Sequence, residues 1–544
     1  MHVCYKIVHV TILDGFVDEP SCFGVPPYIS PYVRYIAGAI KDAGHEYEYM
    51  TIEEWRNGRQ IKGNILILVA GAIVPGRYLR AMPVSLNEMK EITHLFKGIK
   101  ILAGSAAAFG IGQGGGKKLI KVDGLFDYVA ILDGDAFIYD FLNNELNQRR
   151  RKRVEWQKWA ILGSKVVSQH PDFPKPLIAE IETYRGCIRW FNGGCSFCME
   201  PSFGKPVMRS EKEILTEVKE LMKHGVKNFR LGCQSCFFSY KAKGIGKSET
   251  PMPNVDAIKR LLEGIYKLKP SVLHIDNANP AVIAEWEEHA IKIAELLKKY
   301  STPGNVAAFG MESADEKVIK ENNLNAEPWQ VMKAIKILNE VGNEKGYNGM
   351  PYLLPGINIL FGLKGESKET YIKNYKFLKE VMEKNLLLRR INVRQVVNLK
   401  GNGIKINKTE FRKFKKKINE EINKPMLQKM LPYGSILRNV YLELNKGNAT
   451  YGRQIGTYPI LIYLPYKTEI NRFVDVKVYD YGFRSVSAIE FPFNINNATY
   501  TQLKNIPKIG SKKAAEIIKK RPIKSLEQIE NIIGKDMKRW FAVK

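Results

Sequence analysis

The chain has 544 residues, of which 45% are hydrophobic, 26% charged and 7 are Cys. At roughly 100–200 residues per domain this is three or four domains, too apolar for a disordered chain and too poor in Cys for a disulfide scaffold. Lys and Arg number 84 against 56 Asp and Glu, a net charge of +28, and residues 401–544 alone hold 28 basic and 12 acidic residues. So uneven an excess is the electrostatic footprint of a polyanion, most often nucleic acid.

Residues 1–148 alternate strand-like and helix-like segments. Tyr5–Leu13, Glu46–Thr51, Ile65–Ala70, Ile99–Ala103 and Asp127–Leu132 read as strands, and Tyr32–Gly44 as a helix closed by its glycine. That order predicts a doubly wound, Rossmann-like sheet. Residues 149–174 form a basic linker that opens with Arg149-Arg150-Arg151-Lys152-Arg153, a run expected on a solvated surface. Over residues 175–400 the alternation continues with a longer period. Ile178–Tyr184, Asn228–Leu231, Val272–Ile275, Ala307–Met311, Ile357–Phe361 and Ile391–Val397 are six strands with amphipathic helices between several of them. A partial (β/α)6 parallel barrel follows, with chemistry expected at the C-terminal ends of its strands.

Residues 401–435 are a basic, helical connector, residues 436–492 a small β domain rich in β-branched and aromatic residues, and residues 493–544 helical again. The fold class is α/β, with a small β domain and a helical segment at the C-terminus. No apolar run approaches the ~20 residues of a membrane helix, and the N-terminus lacks the order of a signal peptide. The expectation is a soluble, cytoplasmic protein with no membrane partner. Gly112-x-Gly114-Gly115-Gly116-Lys117 misses the spacing of a phosphate-binding loop and reads as a turn.

The sharpest chemical signal is Cys187-x7-Cys195-x2-Cys198, immediately after the first barrel strand. Three convergent thiolates suit iron–sulfur or zinc, but a structural zinc site needs four ligands and no His lies nearby. Three ligands on a four-iron cluster leave one iron open for a substrate or cofactor. Cys233-x2-Cys236 is a second pair, at the end of the second strand, where either thiol facing the barrel interior could serve the substrate.

The Cys triad, Gly310-Met311-Glu312-Ser313 and Ile359-Leu360-Phe361-Gly362-Leu363-Lys364-Gly365-Glu366 together resemble the radical S-adenosylmethionine (SAM) superfamily over about Ile178 to Val397. This chain has four extra residues in the first Cys gap, and Gly232-Cys233-Gln234 where the family often has Gly-Gly-Glu. The resemblance implies a [4Fe-4S] cluster on Cys187, Cys195 and Cys198. It also implies SAM contacts at Gly232, Gln234, Glu312, Ser313, Gly362, Gly365 and Glu366, and a 5′-deoxyadenosyl radical that abstracts hydrogen from the substrate. An electron donor such as a ferredoxin or flavodoxin would be a partner. Residues 1–148 resemble the cobalamin-binding domain that precedes some radical SAM domains, on Pro31–Gly38 and Leu132–Asp135, although the Asp-x-His-x-x-Gly motif is absent. Cobalamin is therefore a further candidate cofactor.

The segment Asn494–Leu503 leading into Ile506-Pro507-Lys508-Ile509-Gly510-Ser511-Lys512-Lys513 resembles the helix-hairpin-helix family, whose hairpin N–H groups meet a nucleic-acid phosphate. Lys508, Gly510, Lys512 and Lys513 are its expected phosphate contacts. The β domain resembles the small RNA-binding barrel of some tRNA-modifying radical SAM enzymes, an OB-like barrel, with Arg453 as a candidate RNA contact. The whole order matches an archaeal type of radical SAM protein. The leading expectation is an enzyme that modifies nucleic acid, RNA before DNA. Methylthiolation is disfavoured because only Cys4 and Cys22 precede the barrel, where that family uses three Cys for a second cluster. Two alternatives stay open: cobalamin-dependent methylation or rearrangement of a small molecule or protein, and a nucleic-acid-binding protein whose cluster is structural or redox-sensing.

Overall fold

The computed structural model describes residues 8–16, 28–74, 80–113, 119–397 and 406–543. Cys4, Cys22, the stretch 18–27 and Gly114–Lys117 lie outside the described residues. In the N-terminal part, five parallel strands run in the spatial order Glu46–Thr51, His9–Asp14, Ile65–Val69, Ile99–Ala103, Tyr128–Val129. This is the 2-1-3-4-5 order of a doubly wound sheet, whose ligands sit beyond the strands' C-terminal ends. Both faces are covered, so Ile65–Val69 reads as an unbroken buried run, Ile-Leu-Ile-Leu-Val.

Helix Pro31–Asp42 starts with Pro at its first turn and stops before Gly44, whose φ of +81° ends it. It packs on helix Arg153–Leu162 with the backbones almost touching. A Cβ on Gly38 would lie 2.1 Å from the Trp159 carbonyl oxygen, and one on Gly163 would lie 1.7 Å from that of Arg34. Within a helix, alanine is normally better than glycine by about 0.5–1 kcal/mol. Here the clash is with backbone, which no rotamer relieves, and overpacking of that kind costs about 1–3 kcal/mol. Gly38→Ala is therefore expected to lower the denaturant midpoint of the full chain despite its gain in helix propensity.

The basic run of Arg149–Arg153 is solvated at Lys152 and Arg153, as expected, and departs from that at Arg149 and Arg151. Arg149 pairs with Asp140 at 2.7 Å and with Glu155 at 2.8 Å. The Arg151 side chain is only 4% exposed and lies 3.0 Å from both Asp135 and Glu182. Because Asp135 belongs to the N-terminal domain and Glu182 ends the first barrel strand, the run locks two layers together. Arginines carried in on buried carboxylates can enter a core that their composition alone would forbid.

All six barrel strands are present: Ile178–Glu182, Asn228–Gly232, Val272–Ile275, Asn305–Glu312, Leu353–Phe361 and Arg390–Gln395, every pair parallel. The third continues past Asp276 as Asn277–Ala278, which pairs with the fourth. A short strand from the N-terminal part, Tyr28–Ile29, pairs with Ile178–Ala179 and covers the barrel's first edge. Arg34, buried in the N-terminal helix, pairs with Glu217 of the barrel, itself held by Arg209 at 2.5 Å.

After the barrel, helix Lys408–Ile418 buries Phe411, Phe414 and Ile418 and turns Arg412, Lys413, Lys416 and Lys417 outward. Phe411 and Phe414 meet Phe361 at 5.7 and 5.0 Å between ring centroids. Strands Ile436–Lys446, Ala449–Gln454, Leu461–Leu464, Ser485–Glu490 and Arg472–Tyr481 then close into a five-stranded barrel in the order 1-2-3-5-4, the OB-like architecture. Arg453 does not reach its surface. It is buried and forms a two-pronged pair with Glu443, at 2.8 Å through both Nε and Nη2. Among the described residues no helix is long and apolar enough to cross a membrane.

Candidate active site

A cavity of about 1740 Å³ lies where the three units meet. Its wall takes Gly104, Ser105 and Leu132–Asp135 from the C-terminal edge of the N-terminal sheet, and Cys198, Cys233, Gln234, Glu312, Asn358 and Arg394 from the barrel strand ends. Phe411 and Lys415 come from the connecting helix, and Tyr458, Phe483 and Arg484 from the small barrel. Both α/β units thus present the ends at which such folds place ligands.

The loop carrying Cys187, Cys195 and Cys198 follows the first barrel strand. Gly186, Gly193 and Gly194 all have left-handed φ, of +98°, +80° and +59°, so the loop needs glycine at its turns. The long first Cys gap is taken up by a single 3-10 turn, Trp190–Asn192. Burial pushes all three thiols up, Cys195 to about 11, and Cys187 raises both Cys195 and Cys198 further. Among the described residues no three His, Cys, Asp or Glu side chains close on a single metal ion. Three neighbouring thiols on one loop suit three corners of a four-iron cluster.

The loop is held by residues that no motif marks. Arg189 donates to the Asn323 carbonyl and to its Oδ1, both at 2.9 Å, and points Nη1 at the Cys195 sulfur at 3.6 Å. Ser196 donates from its N–H to the Asn322 carbonyl at 2.9 Å and from its hydroxyl to Oδ1 at 2.8 Å. Asn322 in turn donates to the Lys364 carbonyl at 2.9 Å. The turns after the fourth and fifth strands therefore clamp the Cys loop, and such outer-shell support commonly tunes a metal site. The contacts of Arg189 and Ser196 with Asn322 and Asn323 each span more than 100 residues, so no local pattern announces them.

Glu312 lines the cavity in a left-handed conformation, φ +63°, and its buried Oε2 has no partner. Burial pushes its carboxyl up to about 8, against a lowering pull from Arg394. A buried acceptor with no protein donor is what a ligand hydroxyl or ammonium group would satisfy. Gln234 also lines the cavity, but its amide is taken by Thr183 at 3.1 Å and the Leu231 carbonyl at 2.9 Å. Cys233 reaches the cavity with φ +58°. Cys236 does not. It is buried, and its sulfur accepts the Asn279 N–H at 3.2 Å inside the core.

The other expected cofactor contacts stand behind the wall. Gly232 makes room for Glu180, since a Cβ there would lie 1.8 Å from that carboxylate. Ser313 is fully buried and its hydroxyl accepts the Asp315 N–H at 3.1 Å. Glu366 accepts the Gly362 N–H and the Tyr371 hydroxyl, tying its own loop. Gly362 and Gly365 supply the left-handed turns of that loop, φ +96° and +79°.

Residues 181–378 match the radical SAM superfamily, and residues 492–536 the helix-hairpin-helix motif. The chain belongs to the radical SAM superfamily. It is a radical SAM enzyme, and that membership implies a [4Fe-4S] cluster and SAM. An uncharacterized protein of Methanocaldococcus jannaschii is 48% identical over 513 residues, covering 89% of this chain and 94% of its own length. A tRNA-2-methylthio-N(6)-dimethylallyladenosine synthase of Buchnera aphidicola subsp. Cinara cedri is 22% identical over 381 residues, 68% of this chain and 72% of that one. Among solved structures, the radical SAM methyltransferase TsrM from Kitasatospora setae superposes with a TM-score of 0.45 at 13% identity, over 71% of this chain and 72% of that one.

For this radical SAM enzyme the donor set fits the two implied groups: three thiols for a cluster and the Glu312 carboxylate for SAM. A cobalamin in the same cavity would meet small and apolar residues on the N-terminal sheet's side, such as Ala72, Gly104 and Ala108, and no histidine among the described lining residues.

In the helix-hairpin-helix, Lys508 takes the left-handed conformation usual for glycine, φ +68°, so the turn forms without one. Lys508, Gly510 and Lys512 are exposed, and nothing lies within 4 Å of a Cβ placed on Gly510. Lys513 folds back to donate to the Lys508 carbonyl at 3.1 Å.

Proposed function

We propose that this radical SAM enzyme modifies a base in RNA. The observation that carries the reading is the helix-hairpin-helix, whose open Lys508–Gly510 turn leads straight into the N-terminus of helix Gly510–Lys519. Backbone N–H groups there are free of intrahelical partners by geometry and suit a phosphate, with Lys512 beside them. The OB-like barrel and the excess charge of the C-terminal quarter support it, as does a relative whose name is that of a tRNA-modifying synthase.

Cys187, Cys195 and Cys198 would hold the cluster, and Glu312 the polar part of SAM. Those groups supply a 5′-deoxyadenosyl radical as the hydrogen-abstracting species. The chain's own part is to position the target and exclude water, which the enclosure of the cavity by three units serves. A base stacked in a helix would have to be unpaired or flipped to enter. A ferredoxin or flavodoxin is the electron donor this reading calls for.

The test compares all nucleosides in bulk RNA from a deletion strain and its parent by mass. One nucleoside is expected to vanish in the mutant and to return with the intact gene but not with Cys195→Ala. Identical profiles at full coverage of rare nucleosides would overturn the RNA target.

A further inference from the structure

The small barrel turns one outer face into the wall of the cavity. Gly452, Ile462 and Val486 point inward: a Cβ on Gly452 would lie 3.0 Å from the buried Leu442 side chain, and Ile462 and Val486 are buried themselves. Side chains alternate along a strand. Tyr451 and Arg453 on the barrel's second strand, Leu461 and Tyr463 on its third, and Ser485 and Ser487 on its fifth therefore face outward. Arg453, Leu461 and Ser485 line the cavity. Tyr451, Tyr463 and Ser487 form the next row, since Tyr463 pairs with Tyr451 on one side and with Ser487 on the other. Two residues of strand separate the rows, a distance of about 7 Å.

This outer row is aromatic. The Tyr451 and Tyr463 rings meet edge to face with centroids 5.6 Å apart, so one ring keeps both its faces clear of the other. Both side chains are half-buried. Ser487 is too small to cover a ring, and it hydrogen-bonds Tyr479, which puts a third aromatic ring at the row's edge. Toward the cavity, Phe483 is 44% exposed in the turn before Ser485 and lines the same wall as Leu461. Cross-strand aromatic pairs stabilise a sheet, and that alone would account for Tyr451 beside Tyr463. It does not account for an aromatic and apolar surface that runs on through Leu461 and Phe483 into the cavity. A polyanion on this face would also meet the basic end of the chain, where residues 401–544 hold 28 basic and 12 acidic residues. Lys446 is exposed in the hairpin that carries Tyr451.

We propose that Tyr451 and Tyr463, with Tyr479 at their edge, form a stacking surface for single-stranded RNA, which holds the bases next to a target base lodged in the cavity. Stacking on aromatic rings accepts any base, and an unpaired strand is what offers base faces to them. Barrels of the OB type bind oligonucleotides on the face of their second and third strands, and in this chain that face is continuous with the cavity wall. That the strand is RNA rests on the functional reading above, and that it is unpaired rests on the rings.

The test is fluorescence anisotropy of a 5′-labelled uridine octamer, and of an RNA duplex, with the full chain at low salt. Tyr451→Ala and Tyr463→Ala should each weaken the octamer by about fivefold or more. Tyr451→Phe and Tyr463→Phe should bind like the parent, because stacking uses the ring face and not the hydroxyl. The dependence of octamer affinity on salt should keep its slope in these variants and flatten in Lys512→Ala, which removes a phosphate contact. Duplex binding should not respond to the tyrosines. Where an alanine change lowers the melting temperature, Tyr463→Leu keeps the apolar bulk on the sheet and should show the same loss of octamer affinity. Octamer affinity equal in the parent and in folded Ala and Leu variants overturns the stacking surface and leaves the RNA reading standing. So does a loss in the Phe variants as large as in the Ala ones, or binding of the duplex alone. Binding of neither RNA by the parent overturns the surface and the RNA reading together.

Discussion

Cys187→Ala is expected to reduce reductive SAM cleavage to background, with loss of the bound iron and of its visible absorbance, in chain reconstituted with iron and sulfide. Two thiols cannot hold a cluster that three hold with one iron left open. The fold should survive, because Arg189, Ser196, Asn322 and Asn323 fix the loop through contacts that Cys187→Ala leaves in place. An unchanged melting temperature beside lost 5′-deoxyadenosine is therefore the signature. Cys236→Ala is the contrast. Its sulfur accepts a backbone N–H inside the core, so cleavage should persist at near the parental rate. Parental SAM cleavage by Cys187→Ala would remove this loop from the chemistry.

Glu312→Gln is expected to move activity and stability in opposite directions. The Glu312 carboxyl has an ordinary value of 4.5 and is pushed up to about 8 by burial. The sign follows from proton binding. Between those two values the folded chain keeps a proton that the unfolded chain has lost, so this group's contribution to stability falls as pH rises from about 4.5 and is gone above about 8. The cost of holding the anion is a few kcal/mol at most. Gln keeps the shape and cannot ionise, so the variant should melt with the parent near pH 5 and above it near pH 9. The same change alters a buried cavity acceptor that has no protein donor, and SAM affinity should fall about tenfold or more. A group strained into a left-handed backbone and kept chargeable in a buried wall is the kind of stability loss that functional sites carry. A variant that gains no stability at high pH would show the carboxyl to be well solvated. One with unchanged SAM affinity would remove it from the site.

Contiguous segments of sequence determined much of this protein. The spacing Cys187-x7-Cys195-x2-Cys198 after a strand, the six barrel strands and the order of the N-terminal strands are written in residues that are neighbours in the chain. Hydrophobic period and turn glycines act over that same short range. The hairpin from Ile506 to Lys513 was equally legible, and even the odd Lys508 fits it, because a single residue can adopt the left-handed turn at modest cost.

Only the tertiary structure decided where the charges went. Arg151 and Arg453 looked like surface cations, and both are buried, because their partners Asp135, Glu182 and Glu443 are brought in by other strands. The pairing of Tyr28–Ile29 with the barrel edge and the clamp of Asn322 and Asn323 on the Cys loop likewise join distant segments. An ion pair or a shared wall depends on which side chains the fold brings within a few ångströms of each other. Composition and local periodicity carry no record of that.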